Sequence, residues 1–307
     1  MKVAVLSGGF GGARFVRGLA EVLDPPDVTI VGNVGDDVEV IGLHVSPDLD
    51  SILYAVAGLS DERRGWGRAD ETWHALETVA ALGGDAWFRL GDRDLGLHLL
   101  RTQALRSGER LSSVTDRLAN ALGVEVRLLP ATDDRLRTWI GTAAGEFPFQ
   151  EWFVARGHRD EVESVRFEGG ETAAAAAGVV GAVESADLLL LAPSNPYVSL
   201  APILAVRDVR DALLGRRVPC VAVSPLIGGR AVKGPADRML ARLAGGTSPV
   251  HVARCYEGLI DALVVDEADA DDLAGLGDVR PIVTRTLMAD ADARRRLVEA
   301  ALGAVPA

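Results

Sequence analysis

The first fifteen residues carry the pattern that most constrains the fold. Val3–Leu6 is a short apolar run, which predicts a buried strand, and four glycines follow it closely. From Ala13 to Leu23 the apolar residues recur at helical spacing. A strand, a glycine-rich turn and a helix in this order direct backbone N–H groups toward one point, which favours an anion such as phosphate. The glycines of this predicted loop are Gly8, Gly9, Gly11 and Gly12.

This glycine-rich stretch matches neither of two common nucleotide-binding motifs. It lacks the Gly-Lys-Ser/Thr ending of a P-loop, and Arg14 stands where a Gly-x-Gly-x-x-Gly motif starting at Gly9 needs a glycine. The sequence therefore predicts a phosphate near the loop without indicating a dinucleotide. A tight strand-to-helix turn with no ligand is the alternative.

Composition and charge limit the classes of function. The chain has 307 residues, a formal net charge of −12 and a pI near 4.9, so the basic face of a general nucleic-acid binder is not expected. No apolar run reaches the length that crosses a membrane. Cys220 and Cys255 are too few for a disulfide framework, and we expect reduced thiols in a cytoplasmic protein.

A second strand and an acidic loop follow the first predicted helix. Val28–Val31 is rich in β-branched residues and ends just before Asn33, Asp36 and Asp37. Strand, helix and strand within about 30 residues form a βαβ unit with parallel strands. Because ligands bind outside the carboxyl ends of such strands, the Gly8 loop and Asn33 are expected on the same side of the sheet.

Two further aspartates, Asp48 and Asp50, precede an apolar segment. On a loop or extended segment both carboxylates can point the same way, as a hard divalent cation requires. The alternative for Asp50 is that it caps a helix starting near Ser51. The acidic pair shortly before them in the chain favours the metal.

Two polar stretches between residues 61 and 94 are rich in arginine. Residues 61–72 place Trp66 among arginines and glycines, and form either a clamp on a ligand or a solvated connection. The second stretch alternates charges around a glycine, and is either a surface salt-bridge cluster or a site for a polar ligand. Its charged residues are Arg89, Asp92, Arg93 and Asp94. His98 lies close by and is expected to be structural.

The βα alternation breaks at residues 137–170 and then returns. This stretch holds short alternating runs and an aromatic cluster, Phe147–Phe153, which predict an inserted β-rich lid or subdomain with a small core or a dimer contact. An alanine-rich helix is predicted at 172–183. Buried strands are predicted at 187–192 and 218–223, with polar turns after them that contain Ser194, Asn195 and Ser224. Further helices are predicted at 72–82, 96–105, 111–122, 202–214 and 236–244. A strand at 124–129, a last strand at 262–265 and a closing helix at 291–302 complete the predicted elements.

The whole pattern predicts one α/β domain over residues 1–307. Its core is a doubly wound, Rossmann-like parallel sheet built from residues 1–136 and 171–307, and the smaller β-rich subdomain occupies about 137–170. The spacing shows no Ser–His–Asp or Cys–His arrangement. Phosphoryl transfer suits such a site, because positioning and charge neutralisation suffice without a protein nucleophile.

Seven ordered motifs together resemble the CofD family, the 2-phospho-L-lactate transferases of deazaflavin coenzyme F-420 biosynthesis. The match runs nearly end to end. The first glycine-rich loop and the Trp66 region are most similar to the actinobacterial branch called FbiA, whose donor carries phosphoenolpyruvate rather than phospholactate. The motifs cover residues 8–14, 33–37, 46–50, 65–67, 90–94, 193–196 and 224–227.

The resemblance implies a reaction and a set of roles. The terminal ribityl hydroxyl of the deazaflavin Fo would attack the phosphorus that bears a three-carbon acid in a guanosine diphosphate conjugate, GMP would leave, and Mg²⁺ would neutralise charge. Asp48 and Asp50 would hold the metal and orient the acceptor hydroxyl. Arg89 or Arg93, with Asp92 and Asp94, would line the acceptor site. The donor and its cofactor would be held by the Gly8 loop, Asn33, Asp36, Asp37, Ser194, Asn195 and Ser224.

Two other classes of protein share part of the pattern. CofD-like regulators that bind nucleotide sugars resemble the chain in the first loop, but typically carry a Gly- and Ser-rich stretch where this chain has residues 38–41. A nicotinamide dehydrogenase is disfavoured by Arg14. Binding of Fo would separate the three classes. We also expect a homodimer that acts on small molecules, with no nucleic-acid or membrane partner.

Overall fold

The computed structural model describes residues 1–304. Its strands are β1 (Val3–Ser7), β2 (Val28–Gly32), β3 (Val38–Val40), β4 (Leu43–Val45), β5 (Arg127–Pro130), β6 (Arg137–Thr142), β7 (Gly145–Pro148), β8 (Ser164–Glu168), β9 (Leu188–Leu191), β10 (Cys220–Val223), β11 (Leu226–Ile227), β12 (Arg230–Ala231), β13 (Ala262–Asp266) and β14 (Arg280–Thr284).

The helices lie around these strands. They are α1 (Gly9–Val22), α2 (Pro47–Val56), α3 (His74–Ala81), α4 (Asp92–Arg106), α5 (Leu111–Ala121), α6 (Val179–Glu184), α7 (Ala201–Ala205), α8 (Arg207–Leu214), α9 (Ala236–Leu243), α10 (Pro249–Arg254) and α11 (Ala291–Leu302). Two π-helical turns occur at Glu151–Ala155 and Pro196–Leu200. Within residues 1–304, none of the helices has the length and apolar character needed to cross a membrane.

The central sheet is parallel throughout and has the order β5-β2-β1-β9-β10-β13-β14. The chain begins in the middle of this sheet, proceeds to β5 at one edge, and then crosses back to β9 and proceeds to the other edge. β1 therefore pairs with β2 through Val3 and Val28, and with β9 through Val3 and Leu188. Doubly wound sheets bind ligands where the strand order reverses in this way. The predicted fold class is confirmed.

The central strands are apolar on both faces. β1, β9, β10 and β13 are buried over their whole lengths. This follows from their place in a parallel sheet whose two faces are covered by helices, which removes the alternation of apolar and polar residues. The edge strand β14 is only partly buried.

Small antiparallel sheets flank the central one. β7-β6-β8 forms a three-stranded sheet inside the stretch predicted to be β-rich, so that expectation holds. The hairpins β3–β4 and β11–β12 escaped prediction because strands of two or three residues leave too short a pattern to detect.

The three-stranded sheet has its own apolar cluster. The predicted small aromatic core exists, and it also includes residues from two later elements. Its buried members are Ile140, Phe149, Trp152, Val162, Val198 and Met239. Val198 belongs to the π-helical turn after β9, and Met239 belongs to α9. The inserted stretch is thus packed against the second half of the chain.

Three helices begin earlier than predicted. α1 starts at Gly9 rather than Ala13, and α4 starts at Asp92 rather than Gly96. α2 starts at Pro47, so Asp48 and Asp50 lie in its first turn rather than on a loop. Proline is favoured at this position, and acidic residues in the first turn are stabilised by the helix dipole.

Three predictions in the second half are wrong. The alanine-rich stretch becomes helical only at Val179, because Ala175 instead bridges to Thr132 and its N–H donates to Asp208. These tertiary hydrogen bonds override a high helix propensity. The helix predicted at 202–214 is split into α7 and α8 at Val206, which has extended backbone angles. The strand predicted as last, β13, is followed by β14.

Candidate active site

The turns after β1 and β9 meet at the reversal of the sheet. The hydroxyl of Ser194 donates to the backbone carbonyl of Gly8 over 2.6 Å, and both groups are buried. Two loops that are 186 residues apart in the chain thus form one wall. The sequence predicted that the Gly8 loop and the turn containing Ser194 would share this side of the sheet, and the structure brings them together.

Several glycines of the first loop are required by packing. A side chain at Gly11 would overlap the backbone carbonyl of Pro193, and a Cβ at Gly12 would lie 2.5 Å from the hydroxyl of Ser7. A Cβ at Gly8 would lie 2.5 Å from the carboxylate of Asp48. Close packing of α1 against the turn after β9 therefore accounts for Gly11 and Gly12 without a ligand.

Gly9 differs from the other glycines in its backbone. Its φ of 65° lies in the left-handed region, where a side chain is strained. It is the first residue of α1, whose early N–H groups have no partner within the helix. A phosphate at this helix start stays a prediction.

Asn33 connects the first strands to α2. Its amide nitrogen donates to the carboxylate of Asp48 over 2.9 Å and to the backbone carbonyl of Val198 over 3.2 Å. Its amide oxygen accepts from the N–H of Gly35 over 2.8 Å. Asn33 is buried and fully used, so its side chain fixes the orientation of Asp48 relative to both halves of the sheet.

Asp36 and Asp37 lie in the loop after β2, and both are buried. The amide of Gln150 donates to Asp36 Oδ2 over 3.2 Å. Asp37 Oδ2 contacts His44 Nε2 at 2.9 Å and accepts from the hydroxyl of Ser46 over 3.0 Å. The second oxygen of each carboxylate is buried and has no hydrogen-bond partner among residues 1–304.

Four aspartates, two from the loop after β2 and two from the first turn of α2, thus form a buried acidic cluster. Asp36, Asp37, Asp48 and Asp50 are only 3%, 4%, 8% and 4% exposed. Burial, and then the carboxylates of Asp48 and Asp37, raise the pKa of Asp36 well above its usual range. Burial raises the pKa of Asp48 to about 6, although hydrogen bonds from Asn33 and the backbone of Gly9 lower it. Such shifts mark a site where negative charge is under-compensated.

Asp50 has a cationic partner. Arg101, from α4, is fully buried and donates to both oxygens of Asp50, one of them over 2.9 Å. Burial lowers the pKa of Arg101, but Asp50 more than offsets this, so the pKa is raised. The capping alternative for Asp50 is not seen, since it lies inside the first turn of α2 and pairs with Arg101 instead.

A second acid, Asp94, joins Asp50 through a chain of side chains. His98 lies between them, with Nε2 at 3.1 Å from Asp94 and Nδ1 at 3.7 Å from Asp50. The hydroxyl of Tyr54 donates to the other oxygen of Asp94. These contacts connect α2 to α4, and the structural role of His98 stays a prediction.

The other charged residues of the 89–94 stretch have separate surroundings. Asp92 accepts from Thr72, and from the N–H groups of His74 and Ala75 at the start of α3. Its hydrogen bonds therefore fix the start of that helix. The side chain of Arg93 is exposed, and that of Arg89 lies over the ring of Trp73 at 4.4 Å.

Arg89 belongs to a stack of cations and indole rings. Arg64 lies 4.8 Å from the ring of Trp66 and 5.1 Å from that of Trp73, while Arg89 covers Trp73 as well. The two polar stretches, which were separate predictions, thus form one surface in which Trp66, Trp73 and Arg64 are half-buried and Arg89 is exposed. Contact of this surface with the acceptor is a prediction.

The polar residues after β9 and β10 are mostly occupied. Asn195 accepts from the N–H of Tyr197 and donates to the sulfur of Met239 over 3.3 Å. Ser224 is buried and accepts from the N–H of Leu226. The three residues Ser194, Asn195 and Ser224 all follow carboxyl ends of central strands, which agrees with their expected side of the sheet.

The cluster fits a cation that is shared with a ligand. Among residues 1–304 no group of three or more His, Cys, Asp or Glu side chains is arranged to hold a metal ion alone. Mg²⁺, however, commonly uses one or two carboxylates and takes its remaining ligands from water and substrate phosphates. Asp48 and Asp36, with unpartnered oxygen on Asp36, match that donor set better than Asp50, whose oxygens Arg101 occupies.

Sequence reasoning missed several contributors to the site. Arg101 looked like one of several polar residues on a helix, and His44 lies in an unpredicted hairpin. Gln150 lies inside the aromatic stretch Phe147–Phe153, whose apolar residues predict a small core or a dimer contact rather than a polar site. These three residues are recognised as part of the site only from their contacts in the structure. For Gln150 the sequence offers one signal, since a glutamine within an aromatic stretch is unusual for a purely apolar core.

The family model that matches the chain and the similar curated proteins both indicate a transferase. The family described as 2-phospho-L-lactate transferase CofD matches residues 3–291. A phosphoenolpyruvate transferase from Streptomyces coelicolor is 42% identical over 98% of this chain and 97% of its own length. Proteins of the same name from Thermobifida fusca and Mycobacterium tuberculosis are 42% and 39% identical, over 91% and 98% of this chain.

Solved structures agree on the fold. A crystal structure of a Bacillus halodurans protein of the UPF0052 family superposes with a TM-score of 0.65, at 18% sequence identity. It covers 98% of this chain and 99% of its own. A second structure of that protein gives a TM-score of 0.66.

Proposed function

The chain belongs to the CofD family and is a transferase, and from this membership together with the buried acidic cluster we propose which groups it transfers. The donor is a guanosine diphosphate conjugate of a three-carbon acid. The group that it transfers is phosphoenolpyruvyl, with 2-phospho-L-lactyl as the alternative. The acceptor is the terminal hydroxyl of the deazaflavin Fo. The product belongs to the biosynthesis of coenzyme F-420.

The reaction we propose is an in-line displacement at phosphorus. The acceptor hydroxyl oxygen forms a bond to the phosphorus that carries the three-carbon acid. The bond from this phosphorus to the oxygen bridging it to GMP breaks, and GMP leaves with the electron pair. The hydroxyl proton passes to a base. In the loose transition state of phosphoryl transfer the proton can pass to solvent, and Asp48, held in place by Asn33, orients the acceptor hydroxyl.

One observation carries the proposal: the acidic cluster is buried near the reversal of the strand order, and within residues 1–304 Asp50 is the one member that accepts a hydrogen bond from an arginine. Buried carboxylates without cationic partners are costly, and they persist where function requires them. Transfer of a phosphoryl group needs oriented charge neutralisation rather than a nucleophilic side chain. The cluster and the family membership therefore support the same chemistry.

We propose Mg²⁺ as the cofactor, held by Asp48 with Asp36, while the sequence-based pair Asp48 and Asp50 is the alternative. When bound, the ion neutralises the charge of the diphosphate and of the leaving group. Two residues position the carboxylates of the cluster: Asn33 fixes the orientation of Asp48, and Arg101 forms an ion pair with Asp50.

The two substrates are proposed to approach from different sides of this cluster. The diphosphate lies at the start of α1 near Gly9, and the guanosine lies beside Ser194, Asn195 and Ser224. The deazaflavin ring lies toward the surface formed by Arg89 and the tryptophans. A homodimer and a cytoplasmic location are expected, and no nucleic acid takes part.

Identification of the reaction products tests the proposed function. Purified protein is incubated with Mg²⁺, Fo and either the phosphoenolpyruvyl or the phospholactyl guanosine conjugate, and the products are identified by mass spectrometry. Formation of GMP together with the matching Fo phosphodiester is the expected result. Release of GMP without a modified Fo, or no reaction with either donor, would contradict the proposal.

A further inference from the structure

The amide of Gln150 reaches the acidic cluster from the inserted β-rich stretch. Gln150 lies between β7 and the π-helical turn Glu151–Ala155, and only 6% of it is exposed. Its Nε2 lies 3.2 Å from Asp36 Oδ2 and 3.3 Å from the backbone carbonyl of Asp36, across a sequence separation of 114 residues. It thus contacts both the side chain and the backbone of one acid.

These contacts divide the two oxygens of Asp36 into different roles. Oδ2 accepts from Gln150, whereas Oδ1 is buried and has no hydrogen-bond partner in the described part of the chain. A neutral donor on one oxygen fixes the rotation of the carboxylate without neutralising its charge. The free oxygen is consequently kept in a set direction and retains its capacity to bind a cation or a donated proton.

Gln150 is itself held by the apolar cluster of the insertion. Its neighbours Phe149 and Trp152 are buried in that cluster together with Val198 and Met239. Val198 offers its carbonyl to Asn33, and Met239 offers its sulfur to Asn195. The same packing that places Gln150 therefore also supports two residues at the carboxyl ends of the central strands.

We propose that Gln150 is a positioning residue for the transfer reaction, acting through Asp36, and that the inserted stretch completes the active site rather than merely covering it. The inference rests on the proposed function for its kinetic readout. Groups that orient the ligands of a metal typically change metal affinity or activity by about 10- to 100-fold when they are removed.

The test uses two variants that keep the shape of the side chain. Gln150→Met removes the donor, and Gln150→Glu turns it into a carboxylate that faces Asp36. For Gln150→Met we expect kcat to fall about 10-fold or more, while the KM for Fo is unchanged. The affinity for Mn²⁺, which is used as the probe in place of Mg²⁺ and is measured by calorimetry, should fall by a similar factor. Gln150→Glu should lose more activity than Gln150→Met, because like charges then face each other.

Glu151→Gln is the matched control, since Glu151 is the next residue and is exposed. Its kinetics, Mn²⁺ affinity and melting temperature should equal those of the unaltered protein. Full activity and unchanged Mn²⁺ affinity in Gln150→Met would overturn the proposal, as would a Gln150→Glu protein that is as active as the unaltered one. Absence of transfer by the unaltered protein would count against the proposed function alone, because the Mn²⁺ comparison still decides the role of Gln150.

Discussion

Arg101 and Asp50 form a two-point ion pair in the interior, between the first turn of α2 and the middle of α4. Both side chains are buried, and the shared hydrogen bonds use both oxygens of the carboxylate. Among the four acids of the cluster, Arg101 hydrogen-bonds to Asp50 alone in the described part of the chain, while Asp37 acts on Arg101 through its charge. Four aspartates that look alike in the sequence thus serve in two different electrostatic settings.

Loss of Arg101 should be costly to the fold. In Arg101→Met the carboxylate of Asp50 is left buried without a partner, and we expect a loss of about 3–5 kcal/mol in the free energy of unfolding. Urea denaturation measures it. Arg117→Met is the control, because the Arg117–Glu109 pair is exposed and should contribute less than about 1 kcal/mol. Equal losses in the two variants would show that the buried pair has no special role.

Asp48 should make the stability of the cation-free protein depend on pH. Its folded-state pKa of about 6 lies above the ordinary value of 3.8, so folding favours the protonated form. The stabilisation is complete below pH 3.8 and is lost as the pH rises through about 6. Asp48→Asn, which is neutral throughout, should therefore become more stable than the unaltered protein across this window, by on the order of 2–3 kcal/mol at neutral pH.

Unfolding curves at several pH values, recorded in the presence of a chelator, test this. The informative quantity is the difference between the two proteins, in which carboxylates outside the cluster cancel. Asp36, whose pKa the Asp48 carboxylate raises, adds to this difference with the same sign. A difference that stays constant from pH 4 to pH 7 would mean that Asp48 ionises normally in the folded state. Added Mg²⁺ should stabilise the unaltered protein at neutral pH by mass action.

A divalent cation should be required for transfer. We expect chelation to abolish turnover, and Asp36→Asn or Asp48→Asn to lower both kcat and Mn²⁺ affinity by about 10-fold or more. Each change keeps the volume and removes the charge. Asp116→Asn, an exposed substitution on α5, serves as the control and should change neither quantity. Transfer that persists after exhaustive chelation excludes the metal.

Gly11 should tolerate no side chain. The carbonyl of Pro193 occupies the place of its Cβ, so Gly11→Ala has to displace the start of α1 from the turn after β9, at a cost of about 1–3 kcal/mol. Gly96→Ala is the matched control: it lies in α4 with no atom near its Cβ position, and alanine there should add about 0.5–1 kcal/mol of stability. Thermal unfolding compares them. A neutral Gly11→Ala would mean that α1 can shift freely.

Arg89 rather than Arg93 should affect the acceptor. Arg89 already lies against Trp73, as a cation over an aromatic face, whereas Arg93 points into solvent. We expect Arg89→Ala to raise the KM for Fo by about 2- to 30-fold, corresponding to roughly 0.5–2 kcal/mol, with the KM for the guanosine donor unchanged. Arg93→Ala should leave both values near normal. The reverse ranking would place the ring of Fo elsewhere.

The sequence predicted the sheet well because periodicity is a local property. Leu188–Leu191 and Ala262–Asp266 are apolar runs of strand length, and each is a central strand. Helix starts were predicted less well: the glycines before Ala13 suggested a loop, whereas packing of α1 against Pro193 places them inside the helix. The alanines after Thr172 predicted a helix. In the structure the N–H groups of Ala174 and Ala175 donate to Asp134 and Asp208 instead of to helical carbonyls.

The candidate site was predictable in its residue types and its side of the sheet, but not in its pairing. Position in the chain suggested that Asp48 and Asp50 act together. In a helical first turn, residues two apart face different neighbours, and they pair with Asn33 and Arg101 respectively. Such partners come from distant segments, and the strand order predicts which loops share a side of the sheet but not which side chains pair there.

The central position of β1 has a consequence for synthesis on the ribosome. β1 leaves the ribosome well before its partner β9, which begins only at Leu188. Until that point the nascent chain carries an apolar strand with one unpaired edge, open to pairing with other chains. The wall that Ser194 and Gly8 form together exists only after synthesis has passed Ser194, so the Gly8 loop reaches its final surroundings long after it has itself been made.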